Sequence, residues 1–239
     1  MNRRFALFAL AAALTLTGGA QAAKPKPKVA AKPRPAVPAP PPAPLGDVVR
    51  VALVTELGTI EIDLDHKRAP ITVENFVRYV DAKRFDGINF YRAMRLSWGQ
   101  QPNGLIQAGL QGNPLKIFKP IAHEPTDVTG ISHTKGAISM ARYAPGTATA
   151  DFSIMVNDLT GLDADPKSDN PELKAGFAAF GHVSAGMEVV RKIFDAPLSP
   201  TKGEGVLKGQ MLEPPVKVLT VRRVPIPAPS PTPPATSAP

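Results

Sequence analysis

Between residues 49 and 64 every second position is apolar: Val49, Val51 and Leu53, then Ile60, Ile62 and Leu64, with Glu56-Leu57-Gly58 breaking the run. A period of two sets one row of side chains on one face of an extended chain, and a short break ending in glycine folds two such runs into a hairpin. Over 70–79 the period changes. Val73, Phe76, Val77 and Val80 fall at i, i+3, i+4 and i+7, which predicts an amphipathic helix with Thr72 placed to cap it and Glu74 in its first turn. A second helix is predicted over 186–194, where Met187, Val190, Ile193 and Phe194 share a side. Further strand-like runs at 88–94, 104–107, 137–141, 152–156, 178–183 and 216–224 bring the strands to eight. Eight short strands with two helices predict a mainly β fold, a closed antiparallel eight-stranded β-barrel capped by two α-helices.

Proline delimits that core. Nine of the 28 prolines lie between residues 24 and 44, interleaved with lysine and alanine, and seven more lie in 225–239. Such segments bury too little apolar surface to offset chain ordering, so 23–45 reads as a disordered linker, 225–239 as a disordered tail, and 46–224 as one domain. Residues 1–22 combine Arg3 and Arg4, an apolar run from Phe5 to Leu16 and the small-residue end Ala20-Gln21-Ala22. That is the layout of a secretory signal peptide cleaved after Ala22. The run is shorter than the roughly 20 residues that span a bilayer, so stable membrane insertion is not expected, an uncleaved anchor being the alternative. The expected destination is the periplasm, with full secretion the alternative. The chain has no cysteine, which excludes disulfides, thiolate chemistry and a lipid-modified cysteine anchor.

The net charge of +8 raises the question of nucleic acid, and its position along the chain answers it. Seven of the 28 basic residues (Arg3, Arg4, Lys24, Lys26, Lys28, Lys32, Arg34) precede residue 46 with no acidic one, leaving 21 basic against 20 acidic in 46–224. A near-neutral domain removes the electrostatic footprint of a nucleic-acid binder. The five linker charges offer a spacer role or weak adhesion to anionic envelope polymers. His66, His123, His133 and His182 show no pair at ligand spacing, and the Asp163-Asp165-Asp169 run lacks the glycine and glutamate of a calcium loop, so no metal is expected. Ser139 and Ser153 sit in strand-like runs without a nucleophile-elbow sequence, which leaves hydrolase chemistry without support.

The remaining constellation is Phe90-Tyr91-Arg92, then Gly104-Leu105-Ile106-Gln107-Ala108-Gly109, then Gly136-Ala137-Ile138-Ser139-Met140-Ala141-Arg142. Their order and content resemble the cyclophilin-type peptidyl-prolyl isomerases over roughly 48–224. The resemblance implies isomerisation of X-Pro bonds in proline-containing polypeptides, without cofactor or metal, by a chain expected to act as a monomer. It places Arg92 on the arginine of Phe-His-Arg and Gln107 on the glutamine that orients it, these two being the catalytic pair. Leu105 falls on a pocket methionine, Ala141 and Arg142 on a backbone-contact pair, Leu162 on the leucine lining the proline pocket, and Phe177 on a histidine or tyrosine position.

The same resemblance exposes departures. Gly104 and Ser153 stand where pocket phenylalanines are expected, Asp151 where a glutamine meets substrate, and Gly161 where an aromatic residue forms the rim. Fourteen residues separate Arg92 from Gln107, twice the family spacing, and the insertion carries Trp98. Missing aromatics beside an inserted one yield the expectation that Trp98, or Phe118 farther on, rebuilds part of the apolar wall.

Overall fold

A computed structural model describes residues 44–226. The signal-peptide and linker readings up to residue 43, and the tail beyond residue 226, lie outside the described residues. The strands are β1 (Val48–Thr55), β2 (Gly58–Asp65), β3 (Asn89–Leu96), β4 (Asn103–Gly109), β5 (Ala137–Met140), β6 (Phe152–Met155), β7 (Ala178–Ala185) and β8 (Met211–Arg223). They close into a barrel in the order β1-β2-β7-β5-β6-β4-β3-β8, every pairing antiparallel.

The opening alternation becomes the β1–β2 hairpin. Val49 pairs with Leu64, Val51 with Ile62 and Leu53 with Ile60, and all six are buried, while Arg50 and Asp63 meet outside at 2.6 Å. Gly58 has a φ of +133°, and a Cβ there would lie 2.7 Å from Val189 Cγ2, so turn conformation and packing both require glycine. Phe90, Phe152 and Phe180 point inward from β3, β6 and β7 and gather with Phe76 and Phe85 in the core; Phe76 meets Phe152 at 5.3 Å and Phe180 at 5.4 Å between ring centroids.

Strand β8 starts five residues before the predicted run. Pro214 and Pro215 interrupt the sequence pattern, because proline supplies no ladder donor. In the barrel they sit where pairing with β3 changes register, between Phe90↔Val216 and Arg92↔Met211, so the strand passes through them. The predicted helices are α1 (Pro70–Asp81) and the later helix, which follows two single-turn helices in the connecting segments, α2 (Thr126–Thr129) and α3 (Pro171–Ala175); it is α4 (Met187–Asp195). Helix α1 buries Val73, Phe76, Val77 and Val80, and α4 buries Val189, Val190, Ile193 and Phe194.

The predicted cap of α1 is corrected. Pro70 opens the helix, the N-cap residue Ala69 has no capping side chain, and Thr72 lies inside the first turn. The carboxylate of Glu124, 52 residues away from Thr72, serves instead: it accepts from Ile71 N at 3.1 Å, Thr72 N at 2.7 Å and Thr72 Oγ1 at 2.6 Å. A helix start presents unpaired N–H groups and positive dipole, and a carboxylate satisfies both. Glu74 faces outward, its carboxylate 3.4 Å from His66 Nε2.

Candidate active site

Core packing occupies the inner face of the barrel, so polar chemistry lies on the outer face. Register determines which residues share it. Arg92 opposes Gln107, Gln107 opposes Ser153 and Ser153 opposes Ser139; two residues along the strands, Met94 opposes Leu105 and Leu105 opposes Met155. Opposed residues on neighbouring strands project to the same side, so a polar row runs beside an apolar one. A register break between Phe90 and Arg92 changes the alternation of β3, leaving Phe90 in the core and Arg92 outside.

Over these rows lies a cavity of about 240 Å³ lined by Arg92, Met94, Leu105, Gln107, Ser139, Met140, Ala141, Arg142, Ser153, Met155, Leu162 and Phe177. Beside it lies a second cavity of about 350 Å³, whose lining includes Tyr91, Gln111, Tyr143, Thr147, Thr149, Asp151 and Met211. Arg92, Gln107, Ala141 and Arg142 line both.

Arg92 is held along two edges of its guanidinium. Its Nη1 donates to Gln107 Oε1 at 2.7 Å and its Nε to Gln210 Oε1 at 2.9 Å, while Nη2 has no hydrogen-bond partner among the described residues. Gln210 is itself fixed, donating from Nε2 to Val206 O at 2.7 Å and accepting Ala93 N on its backbone oxygen at 2.9 Å. Burial draws the Arg92 pKa below its ordinary value, and an arginine starts so high that the cation persists at neutral pH.

Arg142 turns its side chain away from an open role. It donates to Gly176 O from Nη2 at 2.6 Å and to Glu172 and Tyr143 O from Nη1 at 2.8 Å each, and it stacks on the Phe177 ring at 4.6 Å. The guanidinium thereby ties the 172–177 segment, and with it Phe177, to the cavity wall. Asp151 is engaged too: Tyr91 donates its hydroxyl to Oδ1 at 2.9 Å and Gln111 N donates at 3.0 Å. Burial raises the pKa of both Asp151 and Tyr91, and the Tyr91 hydroxyl keeps its proton.

Of the residues singled out from the sequence, Arg92, Gln107, Leu105, Ala141, Arg142, Asp151, Ser153, Leu162 and Phe177 line one cavity or both. Trp98 lines neither and is 62% exposed, which corrects the expectation that it rebuilds the wall. The insertion lengthens the β3–β4 hairpin instead of folding over the site, and Asn103 Nδ2 and Gln101 Nε2 fasten the tip by donating to Trp98 O at 2.8 and 3.1 Å. Phe118 is equally remote: it packs on Tyr79 at 4.7 Å with Arg78 and Arg84 over its ring. Gly104 admits no side chain, since a Cβ would fall 1.9 Å from Met94 O.

Met94 and Met155 form the wall that the missing aromatics leave, helped by methionine's ability to fill irregular space. Both were within reach of the sequence, for Met94 follows Arg92 by two and Met155 follows Ser153 by two. Gln210 carries no such signal; only barrel closure brings it to a residue 118 positions away.

Known proteins share this fold. Residues 50–222 match the family described as cyclophilin type peptidyl-prolyl cis-trans isomerase/CLD. A peptidyl-prolyl cis-trans isomerase of Acinetobacter baylyi is 36% identical over 176 residues, which span 72% of this chain and 84% of that one. Peptidyl-prolyl cis-trans isomerase A of Dickeya dadantii is 35% identical, over 60% of this chain and 70% of its own. Among solved structures, a cyclophilin type peptidyl-prolyl cis-trans isomerase of Cryptosporidium parvum superposes with a TM-score of 0.57 at 16% identity, covering 75% of this chain and 99% of that one. A barrel of this topology with an arginine–glutamine pair on its outer wall defines a cyclophilin-like protein. The chain belongs to the cyclophilin family of peptidyl-prolyl cis-trans isomerases.

Proposed function

We propose that this peptidyl-prolyl isomerase is exported to the periplasm and there turns the X-Pro bonds of exported proteins, assisting their folding as a monomer without cofactor. The destination rests on the leader-like residues 1–22 and on the cysteine-free composition. The chemistry rests on one observation: Arg92, anchored through Nε and Nη1, keeps Nη2 without a partner among the described residues, beside a largely apolar cavity.

An X-Pro amide rotates slowly because the nitrogen lone pair is delocalised into the carbonyl, with a barrier of about 18–20 kcal/mol. At the twisted state the nitrogen regains that lone pair and accepts a hydrogen bond. Met94, Leu105, Met155, Leu162 and Phe177 surround the ring, and the free Arg92 N–H meets the nitrogen as it becomes basic. Lowering the barrier by about 4 kcal/mol accelerates rotation roughly a thousandfold, and no bond is broken. A cyclophilin type isomerase of Cryptosporidium parvum has been solved in the presence of the dipeptide Ala-Pro, which supports a prolyl peptide as the occupant here.

The test is the isomerisation rate of an X-Pro peptide with the full-length protein and with Arg92→Ala. A fall of about a hundredfold or more in kcat/KM is expected; an unchanged rate overturns the assignment. A second reading is favoured by Gly104 and Ser153 at positions where the family places pocket phenylalanines: a catalytically weak chaperone that binds proline-containing chains. It predicts suppression of client aggregation that survives Arg92→Ala.

A further inference from the structure

Two hydroxyls face each other across the floor of the 240 Å³ cavity. Ser139 and Ser153 are directly opposed in the β5–β6 ladder, a relationship that separates Cβ atoms by about 4.5–5.5 Å. Their hydrogen-bonding states differ. Behind Ser139 lies the fully buried His133, whose burial depresses its pKa and keeps the ring neutral. Its Nδ1 lies 2.5 Å from Asp163 Oδ1. A carboxylate only accepts, so Nδ1 carries the ring hydrogen, and Nε2 accepts the Ser139 hydroxyl hydrogen at 2.8 Å. Asp163 is pinned by further donors, His133 N at 2.9 Å and the Ser132 hydroxyl. Ser139 thus turns its hydrogen inward and keeps lone pairs to spare.

Ser153 has no such partner. It is only 8% exposed, it lines the cavity, and its Oγ makes no hydrogen bond to any described residue. That hydroxyl opens into the cavity, so whatever fills the cavity, water or ligand, has to serve it. The walls around it, Met94, Leu105, Met155, Leu162 and Phe177, are apolar and suit a ring.

Resting on the prolyl-binding reading above, we propose that this floor recognises a ring hydroxyl and makes 4-hydroxyprolyl residues a substrate class of the site. The substituent accepts from Ser153 and donates to Ser139, whose own hydrogen is already committed. Plain proline satisfies neither, and a site built to bond a hydroxyl discriminates against the analogue that lacks it.

The experiment compares kcat/KM of the full-length protein and of Ser153→Ala on matched peptides containing proline or 4-hydroxyproline, both C4 epimers included. One epimer is expected to be turned over at least as well as proline. Its ratio to proline is expected to fall about threefold to tenfold in the variant, the worth of one neutral hydrogen bond. Taking the ratio cancels general damage to the protein. Calorimetric Kd values for the same peptides give the ratio without turnover, so a failure to isomerise X-Pro overturns the isomerase reading while the affinities still judge the floor. Ratios identical in both proteins for both epimers overturn the proposal and leave Ser153 serving bound water alone.

Discussion

Tyr91 donates its hydroxyl to Asp151 Oδ1 at 2.9 Å, so the residues standing where cyclophilins carry histidine and glutamine are joined to each other in the wall of the larger cavity. Asp151 is a half-buried carboxylate. Burial raises its pKa above the usual carboxylate range, and the donors Gln111 N and Tyr91 only partly offset this. An acid whose folded pKa lies above its unfolded value of about 3.9 contributes stability below that value and loses it as pH rises through the folded pKa.

The expected consequence is that Asp151→Asn, whose amide oxygen still accepts from both donors, is more stable than the parent at pH 7. The advantage should shrink towards pH 4, where the parent's carboxyl takes up its proton. Urea denaturation of both proteins at pH 4 and 7 measures this. An advantage equal at the two values would show that the carboxylate carries no burial penalty.

Gln210 holds the Arg92 Nε edge from a loop that no motif marks. Its removal leaves the guanidinium anchored by Gln107 alone and free to pivot, which misplaces the donor at the twisted state more than it disturbs ring binding. Gln210→Ala should therefore lower kcat about tenfold with KM little changed, an effect of positioning. Gln210→Glu, which restores an acceptor of the same reach, should recover most of the loss. Equal effects on KM would place Gln210 in substrate binding instead.

How far the sequence reaches can be seen around this pair. Alternation identified Val49 to Leu64 as a hairpin because a half-buried strand prints its faces directly onto the residue order. Arg92 and Gln107 were legible because their neighbours match family motifs, and their pairing follows once β3 and β4 are adjacent. Gln210 and the Glu124 cap were not legible. Each acts through a contact across more than fifty residues, and neither leaves a local pattern. Trp98 is misplaced for a related reason: composition counts an aromatic near the site, but only hairpin register shows that β3 continues through Leu96 and carries it past the cavity.

Ring binding should follow the walls that the structure shows. Met155 lines the cavity and is buried, so Met155→Ala is expected to weaken affinity for an X-Pro peptide about threefold to thirtyfold, because no thioether then covers that side of the ring. Trp98→Ala should leave that affinity unchanged, since the indole lies outside both cavities. Fluorescence or calorimetric titration of the two variants with one peptide decides it. The reverse ranking would mean that the β3–β4 hairpin folds onto the bound chain.

Glu124 makes a prediction about stability that is separable from catalysis. Its carboxylate is buried at the start of α1, accepting from Ile71 N, Thr72 N and Thr72 Oγ1, and α1 in turn presents Phe76 to the aromatic core. Glu124→Ala leaves two backbone donors and one hydroxyl unsatisfied, and such caps and buried donors are worth about 1–3 kcal/mol. Glu124→Gln retains one oxygen acceptor but loses the charge at the positive helix end, so its loss should be smaller. Thr72→Val removes a single hydroxyl and should cost least. Chemical denaturation should therefore rank the variants Glu124→Ala, Glu124→Gln, Thr72→Val in order of decreasing damage. Their kcat values below the unfolding transition should match the parent, because Glu124 lines neither cavity. A lowered kcat at full folding would show that α1 transmits strain to the site through Asn75, which donates to Thr149 O at 2.7 Å in the wall of the larger cavity.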